Sequence, residues 1–192
     1  MTTAQRWTDA ELSRRCRRAD SAGWRELIRR QTPLVYRLAL GMLRDPLEAE
    51  DACQEVFMRV HRSFGSHDAT RTLAPWVSRI AYHVCLRRLQ SGGRKQAARA
   101  DRSLQGDVRD SRIDSPEQQV ATREAHRLLE AAFRELSAQD RALLTLRYRE
   151  GLSDAEVAGA VGMPVNTVKT RIFRARKKLR ERLGSGPDGG AR

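Results

Sequence analysis

Eight of the twenty residues from Pro164 to Leu183 are Lys or Arg, and Glu181 is the lone acid. The chemistry open to such a stretch is recognition of a polyanion. Val168, Ile172, Ala175 and Leu179 are four, three and four apart, so one face of a helix turns inward. Asn166, Thr167, Thr170, Arg171, Arg174 and Lys178 are left outward. That set suits the major groove of duplex DNA. Residues near the helix start meet base edges, Arg can bind guanine with two hydrogen bonds, and Thr can touch a thymine methyl. Bases further along the helix meet phosphates, which fix register without reading sequence.

A helix can read a groove only if other elements hold it out, and the preceding residues supply them. Ser153-Asp154-Ala155-Glu156 is a capping box that opens a short helix, Gly162 closes it, and Pro164 starts the next. Ala158, Gly162 and Val168 have helix-turn-helix spacing: a small residue where the helices touch, a glycine in the turn, a branched residue filling the angle. The net charge of the whole chain is +13, but residues 116–163 are slightly acidic while residues 164–183 carry a net +7. An Arg-rich composition, 33 Arg to 4 Lys, accounts for the abundance of arginine but not for its position.

Every periodic segment reads as a helix, so the expected class is all-α. A short helix near Glu11–Arg18 precedes one capped at Asp20 or Ser21, with Trp24, Leu27, Ile28 and Gln31 on its buried side. Thr32-Pro33 should restart or kink it before Leu34, Val35, Leu38, Ala39 and Met42 continue the stripe. Asp45-Pro46-Leu47-Glu48 starts the next helix, which buries Ala49, Ala52, Cys53, Val56, Val60 and Phe64. A loop from Gly65 to Thr72 leads to a helix over Ala74–Gln90, with Trp76, Val77, Ile80, Ala81 and Val84 inward. Residues 91–115 are Gly-containing and poor in large apolar side chains, a flexible linker between two small domains. Ser115-Pro116-Glu117-Gln118 and Ser137-Ala138-Gln139-Asp140 each start a further helix, the second ending at Gly151, and the tail 185–192 should be disordered.

Composition closes off other classes. No apolar run is long enough to span a bilayer and the N-terminus lacks an apolar signal core, so a cytoplasmic location is expected, without membrane insertion. Cys16, Cys53 and Cys85 are far apart and odd in number, which argues against a disulfide framework. Neither His83 with Cys85 nor His61 with His67 has partners completing a tetrahedral set, so neither metal nor cofactor is expected.

"LRYREGLSDAEVAGAVGMPVNTVKTRIFRARKKLRERL" resembles region 4 of extracytoplasmic-function sigma factors of bacterial RNA polymerase. "DPLEAEDACQEVFMRVHRSF" and "APWVSRIAYHVCLRRLQ" resemble region 2 of the same family. The resemblance implies region 2 over residues 8–90 and region 4 over 116–184. It places Asn166, Thr167, Lys169, Thr170, Arg171, Arg174 and Lys178 at a −35 promoter element. It places Arg71, Trp76, Arg79, Tyr82 and His83 at a melted −10 element, and Glu48, Asp51, Gln54 and Glu55 at the β′ clamp helices of core polymerase. The implied partners are core polymerase (β′ clamp helices and β flap), promoter DNA and an anti-sigma factor. No small-molecule substrate and no catalytic centre are implied, since the polymerase does the chemistry. The chain departs from the family at His83 and Arg87, where Asn and Asp are usual, and at Asn166, where Gly is common.

The residues themselves agree with this division. Asp45, Glu48, Glu50, Asp51 and Glu55 make an acidic run that cannot serve DNA but could face a basic protein. First-turn acids complement a helix dipole, which accounts for Asp45 and Glu48 but not for Asp51 and Glu55. Trp76, Tyr82 and His83 among Arg79, Arg87 and Arg88 have the composition of a single-strand surface. A stand-alone helix-turn-helix regulator would leave the first bundle without a task. A sigma mimic that titrates an anti-sigma factor would not need groove-reading side chains.

Overall fold

The computed structural model describes residues 7–92 and 127–184. The expected linker, the helix start at Ser115 and the tail lie outside the described residues, apart from the first two linker positions. Helix α1, Asp9–Arg17, opens with a capping box between Thr8 and Glu11. The Asp20 carboxylate accepts from the Ala22 N–H and starts α2, Ser21–Leu43. Of the restart or kink expected at Thr32-Pro33, the restart does not occur: α2 is one helix with Pro33 inside it. Leu27 and Gln31 before the proline and Leu34, Val35 and Leu38 after it are all buried, so packing on both sides keeps the residues helical across it. Pro33 itself is exposed, where water can reach the carbonyl that its missing N–H leaves unpaired.

Asp45 accepts from the N–H groups of Leu47 and Glu48 and begins α3, Pro46–Ser63. A 3₁₀ turn at Phe64–Ser66 takes up the front of the expected loop. Helix α4, Leu73–Gly92, is capped from another element: Asp9 of α1 accepts from the Leu73 N–H at 2.9 Å.

In the second half, α5 covers residues 127–134 and α6 is Ala138–Leu144, capped by Ser137. The single helix expected to run to Gly151 widens at Thr145–Arg149 into a π turn, in which the Glu150 N–H reaches the Thr145 carbonyl. Gly151 takes φ 70°, and α7, Asp154–Val161, and α8, Val165–Gly184, follow.

The class is all-α, with two small helical bundles and a helix-turn-helix in the second. Helix α2 is the centre of the first bundle, packed on α1, α3 and α4 over Leu27, Val35, Leu38, Met42, Val56 and Val77. Helices α6, α7 and α8 close the second over Leu143, Leu146, Val157, Val168 and Ile172. The bundles are not held apart: α4 packs on α7, α2 packs on α6 and the π turn, and the buried apolar residues form one continuous cluster.

All three cysteines are free and buried, and burial pushes the Cys85 thiol up to about 12. Among the described residues no group of three His, Cys, Asp or Glu could hold a metal ion, and no helix is long and apolar enough to cross a membrane.

Candidate functional site

Helix α7 begins with reciprocal bonds: the Glu156 N–H donates to Ser153 Oγ and the Ser153 N–H donates to Glu156 Oε2. It ends at Gly162 with φ 71°, a left-handed position that a side chain rarely adopts, and this aims α8 away from α7. Val168, Ile172 and Ala175 are buried and Leu179 is half-buried, as their spacing requires. Asn166, Thr167, Lys169, Thr170 and Arg174 are exposed. The Thr170 hydroxyl donates to the Asn166 carbonyl at 2.9 Å, which leaves the methyl as its outward group.

Two members of the expected groove-reading set are otherwise engaged. Arg171 is half-buried rather than outward, with Nε 2.8 Å from Asp140 Oδ1 and Nη1 2.7 Å from Gln139 Oε1. Its remaining bond goes to Ser137 Oγ, so this guanidinium ties α8 to the start of α6. Lys178 donates to the Glu135 carbonyl at 2.9 Å, just past the end of α5. One outward residue escaped the sequence reading. Phe173 is 69% exposed between Thr170 and Arg174, and its i+3 distance from Thr170 was the available signal. Beside it Arg176 donates to the Tyr148 hydroxyl at 3.2 Å and stacks over that ring.

Between α3 and α4 lies an open cavity of about 610 Å³, lined by Arg59, Arg62, Ser63, Trp76, Arg79 and His83 among others. Trp76 is half-buried, set edge-on against Phe64 with ring centres 5.6 Å apart and tilted against His67 at 4.9 Å. Arg79 and His83 are exposed at its rim. Burial, then the neighbouring charges of Arg79 and Arg87, hold the His83 imidazole below its ordinary pKa. Arg71 stands in the loop before α4, 3.5 Å from Asp68. Tyr82 does not join this surface. It is 1% exposed, on a face of α4 turned toward the second bundle, and burial raises its pKa. A tyrosine at this point of a helix can be read as core or as surface, and only the position of the second bundle decides between them.

The acidic run on α3 also divides. Asp45 serves as the helix cap. Glu55 meets Arg59 and Arg88, and Arg88 also reaches Glu48 at 3.2 Å. Burial opposes charge on Glu55, but hydrogen bonds from Arg88 and Arg59 outweigh it and hold the carboxyl below the usual range. Bases absent from the run in sequence are therefore brought to it by α4 and by the next turn of α3. Asp51 and Gln54 remain exposed, and they share a stripe with Leu47, 62% exposed, and Met58, 54% exposed. Positions 47, 51, 54 and 58 recur at helical spacing, so this is one continuous acidic and apolar face.

Fold and site together define the class as an all-α helix-turn-helix protein with a basic recognition helix. Residues 27–95 match the family description "Sigma-70 region 2" and residues 126–179 match "Sigma-70, region 4". The RNA polymerase sigma-H factor of Pseudomonas aeruginosa is 29% identical over 180 residues, covering 91% of this chain and 93% of that one. The ECF RNA polymerase sigma factor SigW of Bacillus subtilis is 31% identical over 158 residues, covering 78% and 82%. The sigma factor RpoE from Bartonella quintana, solved with the anti-sigma factor NepR, superposes with a TM-score of 0.64 at 21% identity, covering 84% and 97%. The chain belongs to the extracytoplasmic-function sigma factors of the sigma-70 family.

Proposed function

We propose that this chain binds core RNA polymerase and directs it to specific promoters, reading the −35 duplex with α8 and the melted −10 strand with the cavity between α3 and α4. The observation that carries the reading is how the exposed faces divide. Helix α8 presents Asn166, Lys169, Thr170, Phe173 and Arg174 to solvent, while α3 presents Leu47, Asp51, Gln54 and Met58. A basic groove-reading face and an acidic-apolar face on one molecule fit DNA on one side and a basic protein partner on the other.

At the −35 element Arg174 is the base reader and Lys169 a phosphate contact, with Phe173 offered to thymine methyls. Arg171 and Lys178 hold α8 against α6 and α5 and act on DNA only through that position. At the −10 element an unstacked base lies against Trp76, and Arg59, Arg62 and Arg79 stand ready for its phosphates. Neutral His83 supplies one donor and one acceptor there. Helix α3 docks on the β′ clamp helices and the C-terminal bundle on the β flap, and an anti-sigma factor regulates the complex, in keeping with the relative solved with NepR. The reaction itself stays with the polymerase, in the cytoplasm.

Run-off transcription with purified core polymerase on genomic fragments tests this. Discrete transcripts should require the chain and should be lost with Arg174→Ala or Asp51→Arg. A chain that binds duplex DNA but never changes the transcripts would instead be a stand-alone regulator.

A further inference from the structure

Trp76, the stacking wall of the −10 cavity, packs on a polar ring that stability alone does not favour. His67 is 2% exposed, with its ring centre 4.9 Å from that of Trp76 and 5.8 Å from that of Phe64. Phe64 and Trp76 meet edge-on at 5.6 Å, so the three rings form a closed triangle. The His67 Nε2 is buried and has no hydrogen-bond partner among the described residues. A buried polar atom left unpaired costs stability, and an apolar side chain of similar shape would avoid that cost. The backbone of His67 is pinned on both sides: its N–H donates to the Phe64 carbonyl at 3.1 Å, and its carbonyl accepts from Arg17 of α1. Movement is therefore left to the ring.

We propose that His67 is a positioning residue for the −10 site: its neutral ring seats Trp76 against the unstacked base, and protonation expels it, so strand opening fails in acid. This rests on the sigma-factor reading above and adds to it a residue and a pH response. A second proton puts positive charge on a ring whose Nε2 meets no acceptor. Arg17 of α1 repels that charge, whereas Asp68 of the loop and Asp9 of α1 favour it. Both acids are engaged elsewhere, Asp9 on the Leu73 N–H and Asp68 on the Thr70 hydroxyl. From α4 the neutral indole of Trp76 packs against the ring, and from the 3₁₀ turn Phe64 does. Burial is the largest influence, and the net effect holds the imidazole below its ordinary value of about 6.5. The folded chain thus keeps His67 neutral at pH 7, and the charged ring appears only as pH falls beneath that range. A buried charge without a partner is costly, so the charged ring must reach water. Leaving the triangle removes a ring on which Trp76 packs. Promoter opening should then decline with the fraction of chains in which Trp76 is seated.

The test uses holoenzyme reconstituted from core polymerase and the full chain, as wild type or His67→Phe. Phenylalanine keeps a flat ring in the triangle but takes no proton. Permanganate reactivity of promoter thymines reports strand opening, read between pH 7.5 and 5.5 wherever circular dichroism shows the chain folded. The wild type should lose opening several-fold over this interval relative to His67→Phe. That ratio cancels the acid response of the polymerase and of His83, which both holoenzymes share. Affinity for an isolated −35 duplex should not separate the two chains. In the free chain the Trp76 indole N–H resonance, assigned with Trp76→Phe, should shift with the titration midpoint of the His67 ring. It should stay still in His67→Phe. If His67→Phe does not fold, His67→Gln, also without charge, takes its place. Opening profiles that coincide for the two chains overturn the proposal, and so does a Trp76 resonance indifferent to His67. If neither holoenzyme opens a promoter while the Trp76 resonance follows His67, the coupling of the two rings stands and the sigma-factor reading falls.

Discussion

The guanidinium of Arg171 is shared among Asp140, Gln139 and Ser137, whereas Arg174, three residues on, meets solvent. Truncating them should have separable effects. Arg174→Ala should leave the melting temperature in place and weaken binding to a cognate −35 duplex by about 1–3 kcal/mol, with little change on random DNA. Arg171→Ala should lower stability by about 1–3 kcal/mol, since charge-assisted hydrogen bonds of that kind are lost. Asp140→Ala should cost a similar amount, and the double variant should cost less than the sum. Full additivity in thermal melts would mean that the pair contributes nothing. A second residue-scale effect concerns His67, which is 2% exposed beneath Trp76. Burial, then the charge of Arg17, lowers its pKa. The unfolded chain protonates this histidine near the ordinary value of about 6.5, while the folded chain resists. Below that pH the unfolded state therefore binds more protons, and stability should fall as pH drops through the window beneath 6.5. Melting curves at pH 7.5 and 5 should show the loss, and His67→Leu should reduce it.

At the scale of elements, α3 carries two kinds of acid. Asp51 lies on the exposed stripe with Leu47 and Met58, while Glu55 is clasped by Arg59 and Arg88. Asp51→Arg with Leu47→Ser should fold normally, because exposed substitutions change stability little, yet it should lose core polymerase in a pull-down. Glu55→Arg would set three guanidinium groups together and should cost about 1–3 kcal/mol in denaturant titrations before any partner is added. Normal core binding by the folded Asp51→Arg, Leu47→Ser chain would remove α3 from the interface. The helix starts were legible because their signals are local: Asp45 before Pro46, and Ser153 three residues before Glu156, cap as their types demand. Pro33 does not restart the helix, for the complementary reason. A proline disfavours a helix interior locally, but buried side chains on both flanks outweigh the lost bond.

For the whole molecule, one continuous core predicts one cooperative unfolding transition. Calorimetry of the wild type should show a single peak, and Gly41→Trp, a bulky side chain where α2 packs on the π turn beside Thr145, should split it into two. Two peaks in the wild type would mean that the bundles melt independently. The sequence by itself determined the all-α class, the helix-turn-helix and the inward stripe of α8, because helical period, caps and a turn glycine act over a few residues. It also showed where positive charge concentrates, since composition needs no coordinates. What only the tertiary structure decided is which side chains remain available. Arg171, Lys178, Glu48, Glu55 and Tyr82 have the types that an interface uses, yet each is engaged or covered by an element distant in sequence. Arg88 lies 33 residues from Glu55 and Asp140 lies 31 from Arg171. Pairings across such intervals follow from how the helices pack, and spacing along one helix carries no record of its neighbours.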